Sequence, residues 1–114
     1  MSEAHLDNAV LAALKEVMED EFPVLLDTFM ADSGERLRQF HQAVQQRDAQ
    51  ALRLSAHSFK GSCSNMGALP LASLCKRLEE LAKQEQLDEA PPLIESIEQE
   101  FAIVSRLLDD ERSR

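Results

Sequence analysis

The sequence predicts an all-α fold, an antiparallel up-down four-helix bundle with an additional short N-terminal helix. Apolar residues recur at three- and four-residue spacing almost from end to end, the pattern of amphipathic helices. Strand signals are nearly absent. The links between amphipathic stretches are short, and short links favour antiparallel neighbours. No internal repeat, low-complexity tract or Pro/Ser-rich linker interrupts the chain, so residues 1–114 are read as a single domain of ordinary length.

The first helix is expected over 7–18: Asp7 or Asn8 supplies the N-cap, and Val10, Leu11, Leu14, Val17 and Met18 lie on one side. The second, over 21–46, tolerates Pro23 in its first turn. Its stripe is Phe22, Leu25, Leu26, Phe29, Met30, Ser33, Leu37, Phe40 and Val44, with Gly34 a candidate bend. At about 25 residues it would be ~38 Å long. Asp48 caps the third, over 48–66, which Gly67 stops. Pro70 opens the fourth, over 70–84, carrying Leu71, Leu74, Cys75, Leu78, Leu81 and Ala82. The polar tract from Gln84 to Pro92 holds a turn. The fifth, over 90–109, buries Leu93, Ile94, Ile97, Phe101, Val104, Leu107 and Leu108.

Composition excludes several functions. The chain carries 12 Lys and Arg against 21 Asp and Glu, a formal charge of −9. With no Trp, no Tyr and no basic stripe it is a poor nucleic-acid binder, since phosphate contacts need clustered cations. Its apolar runs fall far short of the roughly 20 residues of a membrane span. The opening MSEAHLDNAV has neither the basic start nor the apolar stretch of a signal peptide, so a cytoplasmic location is expected. Cys63 and Cys75 are too few for a disulfide scaffold and both fall on core stripes. Neither GxxxxGK[ST] nor GxGxxG occurs, which argues against ATP or dinucleotide binding. A metal-binding bundle would want inward Glu-x-x-His pairs. The residues three before His5, His41 and His57 are Ser2, Arg38 and Leu54, and His5 and His41 have no company that suggests a role.

The third helix departs from what a bundle requires. Leu52, Ala56, Phe59, Cys63 and Met66 fall within roughly 40° of one direction, which must face the core. His57 then points about 140° away, and Arg53, Lys60, Gly61 and Ser64 share that outer arc. A glycine in an exposed helical turn costs about 1 kcal/mol relative to alanine, and no turn is wanted here. Helical side chains lean towards the N-terminus, so a side chain at position 61 would cover His57, whereas Lys60 can bring its ammonium beside the ring. A neutral imidazole is a competent nucleophile near pH 7. Attack on a phosphoryl group would add close to two negative charges, which an adjacent ammonium stabilises. No kinase machinery is present, so the phosphoryl group would arrive from one protein and leave to another.

The stretch from Ala56 to Ala68, AHSFKGSCSNMGA, resembles the signature of histidine-containing phosphotransfer (HPt) domains, with its HxxKGS core and later GA. The opening LDNAVLAALKEVMEDEFPVLLDTFMADS, the RDAQAL lead-in and the following LCKRLEELAKQ are also similar to free-standing bacterial members, so the resemblance covers nearly the whole chain. It implies that His57 takes a phosphoryl group on Nε2 from the aspartyl phosphate of one receiver domain, such as that of a hybrid sensor kinase, and passes it to a response-regulator receiver. Lys60 matches the charge-stabilising lysine and Gly61 the small residue that leaves the ring accessible. Glu79 matches a position, 22 residues on, that often hydrogen-bonds the other ring nitrogen. It also fits ordinary charge pairing with Lys83 on an exposed face. Phe59, Cys63 and Met66 depart mildly from the usual pattern.

The resemblance implies no cofactor, since the receiver supplies Mg²⁺, and no enzymatic activity; a monomer is expected. Arg53, Ser64, Lys76 and Lys83 are candidate partner-binding residues, the cations forming a basic rim that would meet an acidic receiver pocket. Surplus apolar residues of the first helix, among them Leu11, Leu14 and Met18, are expected to leave a docking patch near His57. The alternative is a non-catalytic helical adaptor that docks receiver domains without phosphotransfer.

Overall fold

The structure, a computed structural model, describes residues 4–113. The Asp7 carboxylate accepts from the Ala9 and Val10 amides at 2.9 and 3.3 Å and opens α1 (Asn8–Met18). A 3₁₀ turn, Glu19–Glu21, leads into α2 (Phe22–Gln45), with Pro23 in its first turn. Asp48 accepts from the Ala51 amide at 3.0 Å and caps α3 (Ala49–Asn65). Pro70 sits in the first turn of α4 (Leu69–Lys83). After a second 3₁₀ turn, Leu87–Glu89, Pro91 and Pro92 open α5 (Ala90–Arg112). Prolines suit these positions because the first helical amides have no intrahelical acceptor. The bundle is α2 to α5, with α1 as the short extra helix, and no strand occurs among the described residues.

Three links turn the chain back on itself in the same way. After α2, α3 and α4 a residue adopts a left-handed conformation (Arg47, Gly67 and Glu85, φ +53°, +79° and +57°). The following amide then reaches back to the last turn, as Ala68 does to the Cys63 carbonyl at 2.9 Å. Only one of the three is glycine, for a tertiary reason. A Cβ at Gly67 would lie 3.0 Å from the Val10 Cβ and 3.2 Å from the Asp7 carbonyl, because the start of α1 rests on this turn and the Asp7 amide bonds the Gly67 carbonyl at 2.8 Å. A His5–Glu100 hydrogen bond and a Lys15–Glu111 ion pair fasten the same N-terminal region to α5.

The core is threaded by four phenylalanines. Phe59 of α3 meets Phe29 and Phe40 of α2 and Phe101 of α5 at ring-centroid distances of 6.5, 6.1 and 6.2 Å. Phe59, Leu52, Ala56 and Cys63 have no exposed surface. That contact set fixes the rotation of α3 about its axis, and with it the direction of His57 two residues before Phe59.

The sequence-predicted boundaries shift by a residue or so, except that α5 runs three residues past Asp109. α2 passes through Gly34 as unbroken helix. Two expectations for the first helix are corrected. Val17 is 79% exposed rather than part of the buried stripe, because it lies about 120° round α1 from Leu11. Leu11 is buried, and Leu14 and Met18 are partly buried against the core, so these do not form the exposed apolar patch. On α2 it is Ala43 that is buried while Val44 is partly so.

Candidate functional site

α3 and α4 form an antiparallel hairpin in which the middle of one faces the middle of the other. His57 projects from the outward curve of α3, its side chain 64% exposed, while the Glu79 side chain of α4 is only 11% exposed beside it. Glu79 Oε2 lies 2.9 Å from His57 Nδ1, and Oε1 accepts from Lys60 Nζ at 2.7 Å. Both oxygens of one carboxylate are therefore committed. An ionised carboxylate only accepts, so Nδ1 carries the proton of the neutral ring and Nε2 keeps its lone pair, directed to solvent. Burial pushes the Glu79 carboxyl up, but the hydrogen bonds from Lys60 and His57 outweigh it and hold the group below its ordinary range.

The sequence placed Lys60 beside the ring; in the structure its ammonium reaches the ring's carboxylate partner instead. The reading of Glu79 as an exposed residue paired with Lys83 is overturned, since it is buried and bound to His57 and Lys60. A Cβ added at Gly61 would meet nothing within 4 Å. Neither backbone conformation nor packing therefore demands glycine there, and the residue leaves open space one turn beyond His57.

The candidate partner-binding residues divide. In the register that sets His57 against Glu79, Arg53 lies one turn before the histidine at the level of Lys83, and Lys60 lies at the level of Lys76. Arg53 is half-buried, Lys76 and Lys83 are exposed, and none of the three forms an ion pair with another described residue. Ser64 is exposed but two turns from His57, roughly 10 Å along the axis, and is not brought to the site. α3 contains no Asp or Glu, so the α3–α4 pair carries five cations (Arg53, Lys60, Lys76, Arg77, Lys83) against two carboxylates in a chain of net charge −9.

Two features escaped the sequence. Leu54, one turn before His57, is 53% exposed, an apolar contact point on the same side of α3. His5 and His41 do have company: His5 Nδ1 lies 2.8 Å from Glu100 and His41 Nε2 2.9 Å from Glu98. Those partners are 95 and 57 residues away, beyond the reach of local pattern. Cys63 and Cys75 are buried free thiols facing across α3 and α4. The hydrogen bond that the Cys63 thiol donates to Cys75, together with burial, drives it upward, so it stays protonated and unreactive.

The site is a knob rather than a cleft. A groove of about 490 Å³ between α4 and α5, lined by Lys76, Arg77, Glu80, Leu81, Leu93 and Ser96 among others, does not include His57. Among the described residues no cluster of three or more His, Cys, Asp or Glu converges as a metal site, and no helix is long and apolar enough to cross a membrane. What the arrangement offers is an exposed imidazole with one free nitrogen, held from behind by a carboxylate that also holds an ammonium.

The family model described as Hpt domain matches residues 24–110. The chain is similar to the crystal structure of histidine-containing phosphotransfer protein B (HptB) from Pseudomonas aeruginosa PAO1, at 64% sequence identity and a TM-score of 0.93, covering 96% of each chain. Comparison with curated proteins gives no match.

Proposed function

Since the chain belongs to the Hpt-domain family, we propose that it is a phosphorelay intermediate that accepts a phosphoryl group on His57 Nε2 from the aspartyl phosphate of a receiver domain and passes it to another. Hpt domains act in histidine phosphotransfer and work with receivers; the assignment of His57, and of receivers as both donor and acceptor, is our own. The observation that carries it is the paired hydrogen bonding of Glu79, 2.9 Å to His57 Nδ1 and 2.7 Å to Lys60. The first bond leaves Nε2 as the nucleophile; the second stations an ammonium within a side chain's swing of the new phosphoryl oxygens.

The receiver brings Mg²⁺ and the acidic groups, and this chain brings a positioned ring. It acts as a phosphocarrier, with turnover residing in its partners. The exposed ring enters the receiver's pocket, and Arg53, Lys76 and Lys83 meet the acidic rim. Incubation with a phosphorylated receiver is expected to move label to His57 as acid-labile phosphohistidine, and His57→Gln to stay folded and accept none. Acid-stable phosphoserine in the product would overturn the reading. An adaptor that docks without transfer would leave His57→Gln fully functional. Lys60→Ala is expected to keep the fold while slowing acceptance by about a hundred- to a thousandfold, the scale for loss of one donor aimed at developing charge.

A further inference from the structure

Besides a free ring nitrogen, His57 has a buried negative charge behind it. Glu79 is 9% exposed and 2.9 Å from Nδ1, with Lys60 on its other oxygen. We propose that the Glu79 carboxylate keeps the Nδ1 proton in place after His57 has been phosphorylated, and so holds the phosphoryl group in its transferable form through neutral and alkaline pH. The inference rests on the phosphotransfer reading above.

Charge and electron accounting make the point. On acceptance the Nε2 lone pair forms the N–P bond, and the P–O bond of the aspartyl phosphate breaks with its electrons returning to the departing carboxylate. The ring, still bearing the Nδ1 proton, is now an imidazolium carrying a phosphoryl dianion. On delivery the next receiver's carboxylate attacks phosphorus, the N–P electrons return to Nε2, and a neutral imidazole leaves. If Nδ1 loses its proton first, the leaving group is imidazolate, a far stronger base and a far poorer leaving group. Retention of one proton thus decides whether the bond is labile or inert.

The surroundings decide that retention. From α3 come Arg53 and Lys60, and from α4 Lys76 and Lys83, all cations that favour loss of the proton. Glu80 lines the α4–α5 groove, as do Arg77 and Lys76. On α2, Arg36 and Asp32 pair with each other at 3.7 Å, while Gln39 accepts from Ser55 at 2.9 Å. Glu79 is the one protein carboxylate in contact with the ring among the described residues. Before transfer its charge is matched by Lys60. Once a phosphoryl dianion stands on Nε2, Lys60 can exchange Glu79 for the phosphoryl oxygens, and the released carboxylate pairs with the newly charged ring. Each charge keeps a partner in both states, which a neutral amide at position 79 could not provide.

The test needs no receiver. The chain is phosphorylated with phosphoramidate, a small-molecule donor, and the Nδ1 titration of phosphohistidine is followed by ¹⁵N NMR in the native chain and in Glu79→Gln, which keeps an acceptor for the N–H but not the charge. The native ring is expected to hold its proton about 1–2 pH units higher than the variant, the usual effect of an opposite charge at this distance. The pH at which hydrolysis of the phosphohistidine slows should move down by the same amount in the variant, and Glu79→Asp should recover part of it. Superimposable titrations would overturn the inference and leave His57 as acceptor. Phosphoramidate modification at residues other than His57 would instead remove the reading beneath it. Should Glu79→Gln fail to fold, the native chain is compared folded and in urea, and coincident Nδ1 transitions would equally overturn the proposal.

Discussion

His5, His41 and His57 all lie within 2.9 Å of a glutamate, so a carboxylate partner does not by itself single out a reactive ring. What sets His57 apart is an ammonium on the far side of its carboxylate and an empty position one turn on. The helical wheel showed the outward direction of His57 and the oddity of Gly61, because both follow from spacing alone. Glu79 was legible only through the resemblance: whether α4 buries that residue depends on how two helices pack. Since a Cβ at position 61 would touch nothing, Gly61→Ala is expected to accept phosphate normally and to gain about 1 kcal/mol in chemical denaturation. Gly61→Gln should obstruct transfer without unfolding the chain, and undiminished transfer would sink the access argument. Acid provides a second check. A carboxyl whose folded-state ionisation is shifted downward contributes stability that is fully present above its ordinary value of 4.5 and is lost as pH falls through the lowered one. The native chain should therefore lose stability on acidification through that range more steeply than Glu79→Gln, measured by urea unfolding at a series of pH values.

At the scale of the element, the site depends on how α3 begins, ends and is turned. Its start at Asp48 and its stop at Gly67 were both readable, because caps are local chemistry. The reason that its stop alone is glycine was not readable, since it lies in the approach of α1. Arg47 and Glu85 occupy the same conformation with side chains, at a cost of roughly 1 kcal/mol or more each. Gly67→Ala should cost more than that, because strain adds to a 3.0 Å contact with Val10. Exposed Glu85→Gly, relieved of strain and crowding nothing, should stabilise the chain by about 1 kcal/mol; thermal melts of the pair check both signs. The misassignment of Val17 has a related origin: a short helix lying across others presents only a narrow arc to the core, and an apolar stripe wider than that arc leaves its far edge in water.

For the whole molecule, the net charge of −9 was plain from composition, but its distribution was not. Only when α3 and α4 pack side by side do Arg53, Lys60 and Lys83 come to the neighbourhood of one histidine on an acidic chain. Such segregation accelerates encounter with an oppositely charged surface and is screened by salt. Association with a receiver that takes phosphate from this chain is expected to slow by about tenfold or more between 0.05 and 0.5 M salt, in stopped-flow measurements, with Arg53→Glu flattening that dependence. A salt-independent rate would assign the cations to plain solvation. The projecting ring of His57 carries a last consequence. On the proposed reading a projecting ring delivers phosphate only into a hollow, and the one groove described above lies between α4 and α5, away from His57. Every transaction must pass through something hollow, and the choice among hollow partners falls to whatever surrounds the knob rather than to the knob itself.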